Sequence, residues 1–190
     1  MIKNDFDFNE MKIVYEDLII NPCLSEKHIF FSKFKKQILL SQVASDTPSG
    51  ILLYDSYIAL VKTMFFFEED YFYGLITEGK KNNECNKKDE YFLIDIKTKY
   101  EDYKDYIEDN FIFLENILFS SQKNWVLLLT QDFYGILAST DEFMKKYKEN
   151  YPKWKSDIFE ITNLYKSSSF FMQDILSSID LKDLESLKEW

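Results

Sequence analysis

The sequence predicts a mixed α+β fold: a single, mostly helical domain with a small antiparallel sheet around a hairpin at residues 124–138. Its 190 residues suit one core, since folded domains usually run to about 100 to 200 residues. Apolar residues make up 46% of the chain and aromatic residues 18%, far more core material than disordered chains contain. Amphipathic segments alternate with short apolar runs that suit strands. We therefore expect one folded domain over residues 1–190.

The first predicted helix begins near Ser25, a residue type that often caps helices. Phe30, Phe34 and Ile38 follow at intervals of four residues, which places them on one helical face. Residues 45–50, with the sequence SDTPSG, are rich in turn formers and are expected to end this helix.

A second helix is predicted from Asp55 or Ser56, either of which suits an N-cap. The apolar residues of this helix recur at helical spacing until the acidic residues 68–70: Tyr57, Leu60, Val61, Met64 and Phe65. The run Phe65-Phe66-Phe67 is interpreted as core packing rather than as a contact with a membrane or a partner.

The middle of the chain combines ambiguous and clear segments. Residues 71–77 suit a strand as well as a helix, whereas residues 91–96 suit a strand. The polar residues 79–90 between them predict a surface loop. Residues 100–121 are predicted to form one long amphipathic helix. The apolar stripe of that helix consists of Tyr103, Ile107, Phe111, Leu114 and Leu118.

The last third of the chain predicts a hairpin followed by helices. Two apolar runs within residues 124–138 flank the polar pair Gln131-Asp132, which suits a turn. Ser139 or Thr140 then suits the N-cap of a helix that reaches about residue 150. Trp154 is expected to pack over the following join, and one or two further helices are predicted from their apolar residues: Ile158, Ile161, Leu164, Tyr165, Phe171, Ile175, Ile179 and Leu181.

Charge and composition restrict the chemistry that the chain can perform. It contains 33 acidic residues and 23 basic ones, all lysines, for a net charge of -10, and its single histidine is His28. Arginine and histidine are the usual groups for holding phosphates and for transferring protons near neutral pH. Nucleic-acid binding is disfavoured because it requires a basic face. The nearest approach to such a face is a group of four lysines: Lys27, Lys33, Lys35 and Lys36.

No apolar run approaches the length of roughly 18 residues that indicates a membrane span, and the N-terminus lacks the pattern of a secretory signal. The sequence therefore predicts a cytoplasmic protein without a membrane partner. Cys23 and Cys85 are accordingly expected to be reduced thiols rather than a disulfide.

Candidate catalytic and metal-binding residues are few. Cys23, His28 and Cys85 show no spacing typical of a nucleophile and base or of a zinc site. Asp95, Asp132 and Asp141 lie near predicted strand ends, where carboxylates can gather around a hard metal ion. No glycine-rich phosphate loop, nucleophile elbow or dinucleotide motif is present. We expect no enzyme activity, no cofactor and no resident metal.

The hairpin and the helix after it carry a recognisable pattern. A tryptophan opens an apolar strand, a short turn contains an acid, the second strand contains an aromatic-Gly pair, and an F-x3-Y helix follows. The matching residues are Trp125, Asp132, Tyr134, Gly135, Phe143 and Tyr147. This pattern resembles that of many small bacterial immunity proteins, cytoplasmic antidotes that bind contact-dependent or polymorphic toxins. Such families often have a second glycine after the second strand, where this chain has Ala138-Ser139. The resemblance implies a stoichiometric binder and supplies no catalytic residues.

Two acidic clusters are the candidate toxin-binding residues, because an acidic surface attracts a basic toxin and tyrosines are frequent interface anchors. They comprise Glu68, Glu69, Asp70, Tyr71, Glu101, Asp102, Asp105, Glu108 and Asp109. Tyr73, Tyr103 and Tyr106 are interleaved with them. A solvated helix face with tyrosines in the core is the alternative interpretation of either cluster.

Three classes of function follow. The first is an immunity protein that covers the active or substrate-binding surface of a cognate protein toxin. The second is a non-catalytic structural or regulatory module that associates with itself as a homodimer through exposed aromatic residues. The third is a metal enzyme that uses Asp95, Asp132 and Asp141.

Overall fold

The computed structural model describes residues 2–3, 7–19, 34, 36–43, 50–76, 91–111 and 115–164. Seven strands lie within these residues: β1 (Ile2–Lys3), β2 (Lys36–Ser41), β3 (Tyr71–Ile76), β4 (Tyr91–Asp95), β5 (Asn116–Ser120), β6 (Trp125–Leu129) and β7 (Tyr134–Ser139). Five helices accompany them: α1 (Phe8–Leu18), α2 (Tyr54–Phe66), α3 (Tyr100–Phe111), α4 (Asp141–Asn150) and α5 (Trp154–Leu164).

The seven strands form one antiparallel sheet in the order β1-β4-β3-β5-β6-β7-β2. The predicted α+β class is confirmed, and the predicted hairpin is the β6–β7 pair, in which Leu127 lies opposite Leu137. The sheet is larger than the small one predicted. Helices account for 47% and strands for 28% of the described residues, so "mostly helical" overstates the helical share.

Helices cover both faces of the sheet. Tyr73 and Phe119 lie on one face with ring centroids 5.4 Å apart, and Tyr15 of α1 packs 5.6 Å from Phe119. Successive strand residues point to opposite faces, so Phe72 lies on the other face. There its ring packs against that of Trp125, at a centroid distance of 5.6 Å. Every residue of β5, β6 and β7 is buried as a result.

The second face of the sheet carries α4 and α3. Phe143 of α4 packs against Trp125, with ring centroids 6.0 Å apart. Tyr106 of α3 lies 5.6 Å from Phe92 of β4. Tyr57 of α2 stacks on Tyr103 of α3 at 4.8 Å, which fixes these two helices to each other.

Two predicted helices are wrong in part because their residues belong to strands. Ile38 lies in β2 and pairs with Leu137, so the predicted helix does not extend to it. Residues 37–42 are all buried, and a spacing of four residues also satisfies the two-residue period of a strand. Residues 45–50 therefore follow a strand rather than a helix. Ser25 and Phe30 lie outside the described residues.

The predicted helix over residues 100–121 is also wrong in its second half. Helix α3 ends at Phe111, and Leu118 lies in β5 opposite Gly74 and Leu127. A strand that is buried on both faces shows no alternation of polar and apolar residues. The apolar residues of β5 therefore matched the helical spacing of the preceding stripe, and the sequence pattern predicted a helix that was too long.

The remaining helix predictions hold where they can be compared. Helix α2 is present, although its N-cap is Leu53 rather than Asp55 or Ser56. Thr140 caps α4, and its Oγ1 accepts a hydrogen bond of 3.3 Å from the backbone N–H of Phe143. The ambiguous residues 71–77 form strand β3 over Tyr71–Ile76. Residues 79–90 and the apolar positions beyond residue 164 lie outside the described residues.

The interpretation of the Phe65-Phe66-Phe67 run as core packing is wrong for its first two residues. Phe65 is 78% exposed and Phe66 61% exposed at the end of α2. Phe67 packs against Phe143, with ring centroids 5.3 Å apart. Helix α2 ends at Phe66, within this run. Phe65 and Phe66 therefore lie outside the core, whereas the next residue, Phe67, packs back against α4.

Candidate functional site

A cleft of about 640 Å³ lies where the end of β2, the first turns of α2 and α3, and α5 meet. Three tyrosines, three carboxylates and two lysines contribute to its lining: Tyr54, Tyr100, Tyr151, Asp55, Asp157, Glu160, Lys104 and Lys153. These residues are far apart in the sequence, so the cleft exists only in the folded chain.

Aromatic contacts bring the first turns of α2 and α3 together at the cleft. The rings of Tyr54 and Tyr100 meet edge to face, with centroids 5.3 Å apart. Behind them, the stacked pair of Tyr57 and Tyr103 lies in the core. The hydroxyl oxygen of Tyr103 accepts a hydrogen bond of 3.2 Å from the backbone N–H of Leu52. The cleft wall is therefore attached to the core.

Asp157 is the buried charged group of the cleft, with a relative exposure of 6%. Its Oδ2 accepts a hydrogen bond of 3.0 Å from the backbone N–H of Ser41 and one of 2.7 Å from the hydroxyl of Tyr151. Burial raises the pKa of Asp157 to about 6, against the opposing effect of these two hydrogen bonds. The carboxylate is therefore mainly ionised at neutral pH and takes up a proton in mildly acidic solution.

Tyr151 stays protonated next to this carboxylate. Burial of the Tyr151 side chain raises the pKa of its phenol well above the ordinary value, and the negative charge of Asp157 raises this pKa further. The hydroxyl is therefore a hydrogen-bond donor to Asp157 throughout the physiological pH range. Since Ser41 is the last residue of β2, Asp157 also satisfies a backbone donor at the end of an edge strand.

The two lysines of the cleft already have acidic partners. Lys153 forms an ion pair with Asp55, and Lys104 lies 3.3 Å from Glu108 on the next turn of α3. Among the described residues, Asp157 and Glu160 form no ion pair. The cleft therefore carries an excess of negative charge.

The acidic residues of α3 continue this charge outward from the cleft. Tyr103 and Ile107 are buried and define the inner side of the helix. Tyr100 and Lys104 line the cleft. The outer side is acidic: Glu101, Asp102, Asp105 and Asp109 are exposed, and Glu108 is half-buried. We call Tyr54, Tyr100 and these five acids the acidic surface.

The other predicted cluster is divided by the structure. Glu68 and Asp70 are exposed and Tyr71 is half-buried. Glu69 is only 1% exposed, so its placement on an exposed toxin-binding surface is wrong. The backbone of Asp70 accepts a hydrogen bond of 2.9 Å from Ile96, which places this segment at the end of the sheet from which α3 begins.

Glu69 is the centre of a buried hydrogen-bond network. Its carboxylate accepts hydrogen bonds from the Ser120 hydroxyl at 2.9 Å, from Asn124 Nδ2 at 2.7 Å and from Trp125 Nε1 at 3.2 Å. Burial raises the pKa of Glu69, and these three donors oppose the shift. The network joins the segment before β3 to the turn between β5 and β6, which is a structural role.

The residues that carry the resemblance lie mainly in the core. Trp125, Tyr134, Phe143 and Tyr147 are each no more than 2% exposed. Asp132 lies in the exposed turn between β6 and β7. The pattern therefore describes the hairpin and helix packing, and the exposed surfaces must be considered separately.

The structure does not gather the three candidate metal-binding aspartates. Asp95 Oδ1 accepts a hydrogen bond of 2.8 Å from the backbone N–H of Lys97, in the turn after β4. Asp132 lies in the hairpin turn, and Asp141 lies in the first turn of α4. Within the described ranges, no three His, Cys, Asp or Glu residues are close enough to hold a metal ion. Cys23, His28 and Cys85 lie outside those ranges.

No helix in the part of the chain that the structure describes is both long and apolar enough to cross a membrane. No protein-family model matches the chain. Neither a curated protein nor a solved structure gives a significant match.

Sequence reasoning missed Asp157 and Tyr151. Asp157 follows Lys-Ser in a helix and has the sequence context of an exposed residue. Its burial arises because α5 packs against β2, an element that the sequence pattern assigned to a helix. Correct assignment of β2 would have been the signal for this site.

Proposed function

We propose that this chain is a cytoplasmic immunity protein that binds a cognate bacterial toxin and neutralises it by covering its active or substrate-binding surface. The observation that carries the proposal is the acidic surface, in which exposed carboxylates of α3 adjoin a cleft walled by tyrosines. The proposed action is stoichiometric binding without catalysis.

The charge of the acidic surface supports this proposal. An acidic patch accelerates association with a basic partner through electrostatic steering. Toxins that act on nucleic acid are basic at their substrate-binding surface, because that surface contacts phosphates. An acidic inhibitor can therefore occupy the surface that the nucleic acid would use. The net charge of -10 acts in the same direction.

The tyrosines supply the apolar part of the contact. Tyr54 is 54% exposed and is supported from behind by Tyr100, so its position is defined before any partner binds. Tyrosine side chains provide large contact areas at low entropic cost and are frequent interface hot spots. Carboxylates beside tyrosines combine steering with a contact that excludes water.

The test is to recover the partner of a tagged chain from its native host and to measure association with the purified partner. We expect a stoichiometric protein partner whose association rate falls as salt is added. Charge reversal with Glu101→Lys and Asp105→Lys should slow association by roughly tenfold or more. The matched control is Glu16→Lys on α1, which packs on the opposite face of the sheet. Equal effects of all three changes, or no foreign partner in cells that contain the toxin, would refute the proposal.

Self-association is the second candidate, and exposed Phe65 and Phe66 favour it. Paired phenylalanines at the end of a helix are an apolar patch that another copy can cover. Sedimentation equilibrium of the purified chain tests this function. A concentration-dependent dimer that dissociates in Phe65→Ser/Phe66→Ser would favour a self-associating module, and a monomer at all concentrations would exclude it.

A further inference from the structure

One oxygen of the Asp157 carboxylate in the cleft accepts no hydrogen bond from the residues that the structure describes. Both hydrogen bonds to Asp157 reach Oδ2, from Ser41 and from Tyr151. Within the described residues, Oδ1 accepts none, and the side chain, which is 6% exposed, lines the cleft. An ionised oxygen of a largely buried carboxylate is stabilised by a hydrogen-bond donor, most strongly by a cationic one.

The surroundings of Asp157 favour a cation as that donor. Glu160 lies one turn further along α5 and adds a second carboxylate to the cleft. Lys153 is paired with Asp55, and Lys104 is paired with Glu108. An incoming positive charge therefore meets two carboxylates without displacing an existing ion pair.

The walls of the cleft suit an organic cation. Tyr54, Tyr100 and Tyr151 contribute aromatic surface. Aromatic faces attract alkylammonium and guanidinium groups and cover the methylene groups that carry them. A bare divalent ion prefers several oxygen ligands, and no cluster of three acidic, His or Cys side chains exists among the described residues to supply them.

We infer that the cleft receives a lysine or arginine side chain of a protein partner, with Asp157 as the group that binds its cationic end. The source of the side chain rests on the proposed function, since the adjoining acidic surface is where the partner would lie. The volume of the cleft, about 640 Å³, is sufficient for one long side chain.

Proton uptake by Asp157 should oppose this binding. The charged and titratable groups that face it are Glu160 and Lys153 near α5, Tyr151 before that helix, Asp55 on α2, and Tyr100 and Lys104 on α3. Because burial raises the pKa of Asp157 to about 6, cation binding should weaken as the pH falls through that value.

The first test uses the free protein and N-acetyl-arginine methylamide, with N-acetyl-norleucine methylamide as an uncharged control. Binding is followed through amide chemical shifts of Ser41, Tyr151 and Asp157. We expect saturable shifts with the arginine derivative only, weaker at about pH 5 than at about pH 7.5. Asp157→Asn should lower the affinity roughly fivefold or more. Equal shifts with both amides, or an Asp157→Asn affinity equal to that of the parent, would overturn the inference.

Two surface variants keep the test decisive if Asp157→Asn folds poorly. Tyr54→Ala removes one wall and should weaken binding about twofold to fivefold, and Glu160→Gln should weaken it by a similar factor. Glu16→Gln, remote from the cleft, should leave it unchanged. Unaltered affinity in both cleft variants would overturn the inference.

The second test separates this inference from the proposed function. If a toxin partner is recovered but Asp157→Asn and Tyr54→Ala leave its dissociation rate unchanged, the cleft inference is wrong and the immunity function stands. If no partner is recovered but the arginine derivative binds in the cleft, the cation site stands and the immunity function fails.

Discussion

The indole Nε1 of Trp125 donates a hydrogen bond of 3.2 Å to the carboxylate of Glu69, and both side chains are almost completely buried. Sequence patterns suggested separate roles for them, with Trp125 opening a hairpin and Glu69 on a binding surface. The contact instead makes Glu69 an internal support for the hairpin. Removing it leaves buried donors without an acceptor.

Glu69→Ala should therefore destabilise the fold by about 3 kcal/mol, because Ser120, Asn124 and Trp125 lose their shared acceptor. Glu69→Gln should have a smaller effect, since the amide oxygen can still accept. Urea unfolding monitored by tryptophan fluorescence measures both. The neighbouring Asp70→Ala, at an exposed position, should change stability by less than about 0.5 kcal/mol. A similar loss in the Asp70 and Glu69 variants would contradict the assigned network.

Gly74 is held next to the ring of Phe92 on the adjacent strand, where an added Cβ would overlap the ring. Gly74→Ala should destabilise the protein by about 1 to 3 kcal/mol through overpacking. Combining it with Phe92→Leu should give a loss smaller than the sum of the two single losses. A thermal-unfolding double-mutant cycle measures this coupling. Strictly additive losses would show that the Phe92 ring does not cause the destabilisation by Gly74→Ala. Gly135→Ala meets Leu129 Cδ2 at 3.1 Å and should be milder, because that side chain can shift.

Thr140 caps α4 through its hydroxyl, whereas the hydroxyl of Ser139 donates to the backbone carbonyl of Thr140. Thr140→Ala should reduce the free energy of unfolding by about 1 kcal/mol. Thr140→Ser should retain most of the stability of the parent chain, because serine can also cap the helix. Chemical denaturation of the two variants distinguishes capping from simple loss of side-chain volume. Equal losses in both variants would argue against the cap.

Asp157 should make the fold more stable as the pH falls. Its pKa is about 6 in the folded chain and has an ordinary value of 3.8, so the folded state binds the proton first. As the pH falls from about 7 to about 4, proton uptake by Asp157 should increase the free energy of unfolding by up to about 3 kcal/mol. This contribution is lost as the pH rises through about 6.

The comparison with Asp157→Asn isolates this contribution from that of Glu69, whose raised pKa acts in the same direction. Urea unfolding at a series of pH values should show a flatter profile for Asp157→Asn than for the parent chain. Glu16→Gln, at an exposed position on α1, should keep the parent profile. Parallel profiles for the parent and Asp157→Asn would show that Asp157 binds its proton equally well in the folded and unfolded states.

The hairpin and α4 were predictable because their signals are local. Gln131 and Asp132 interrupt two apolar runs, and Thr140 precedes two acids that suit a first helical turn. Tertiary contacts are not needed to recognise either pattern.

Strands β2 and β5 were not predictable in the same way. Both are buried on two faces, so their apolar residues show neither clear alternation nor a solvent-facing side. Ile38 and Leu118 therefore matched helical stripes that began in neighbouring segments. The cleft escaped prediction for the same reason, because it depends on α5 packing against β2.

Strand β2 has a consequence for synthesis of the chain. Its only strand partner in the described sheet is β7, and Ile38 pairs with Leu137. At about 5 to 20 residues per second, a ribosome needs roughly 5 to 20 s to make the intervening chain. During that time Ile38, Leu39 and Leu40 have emerged without their partner strand. Strand β2 can therefore join the sheet only after β7 has been translated.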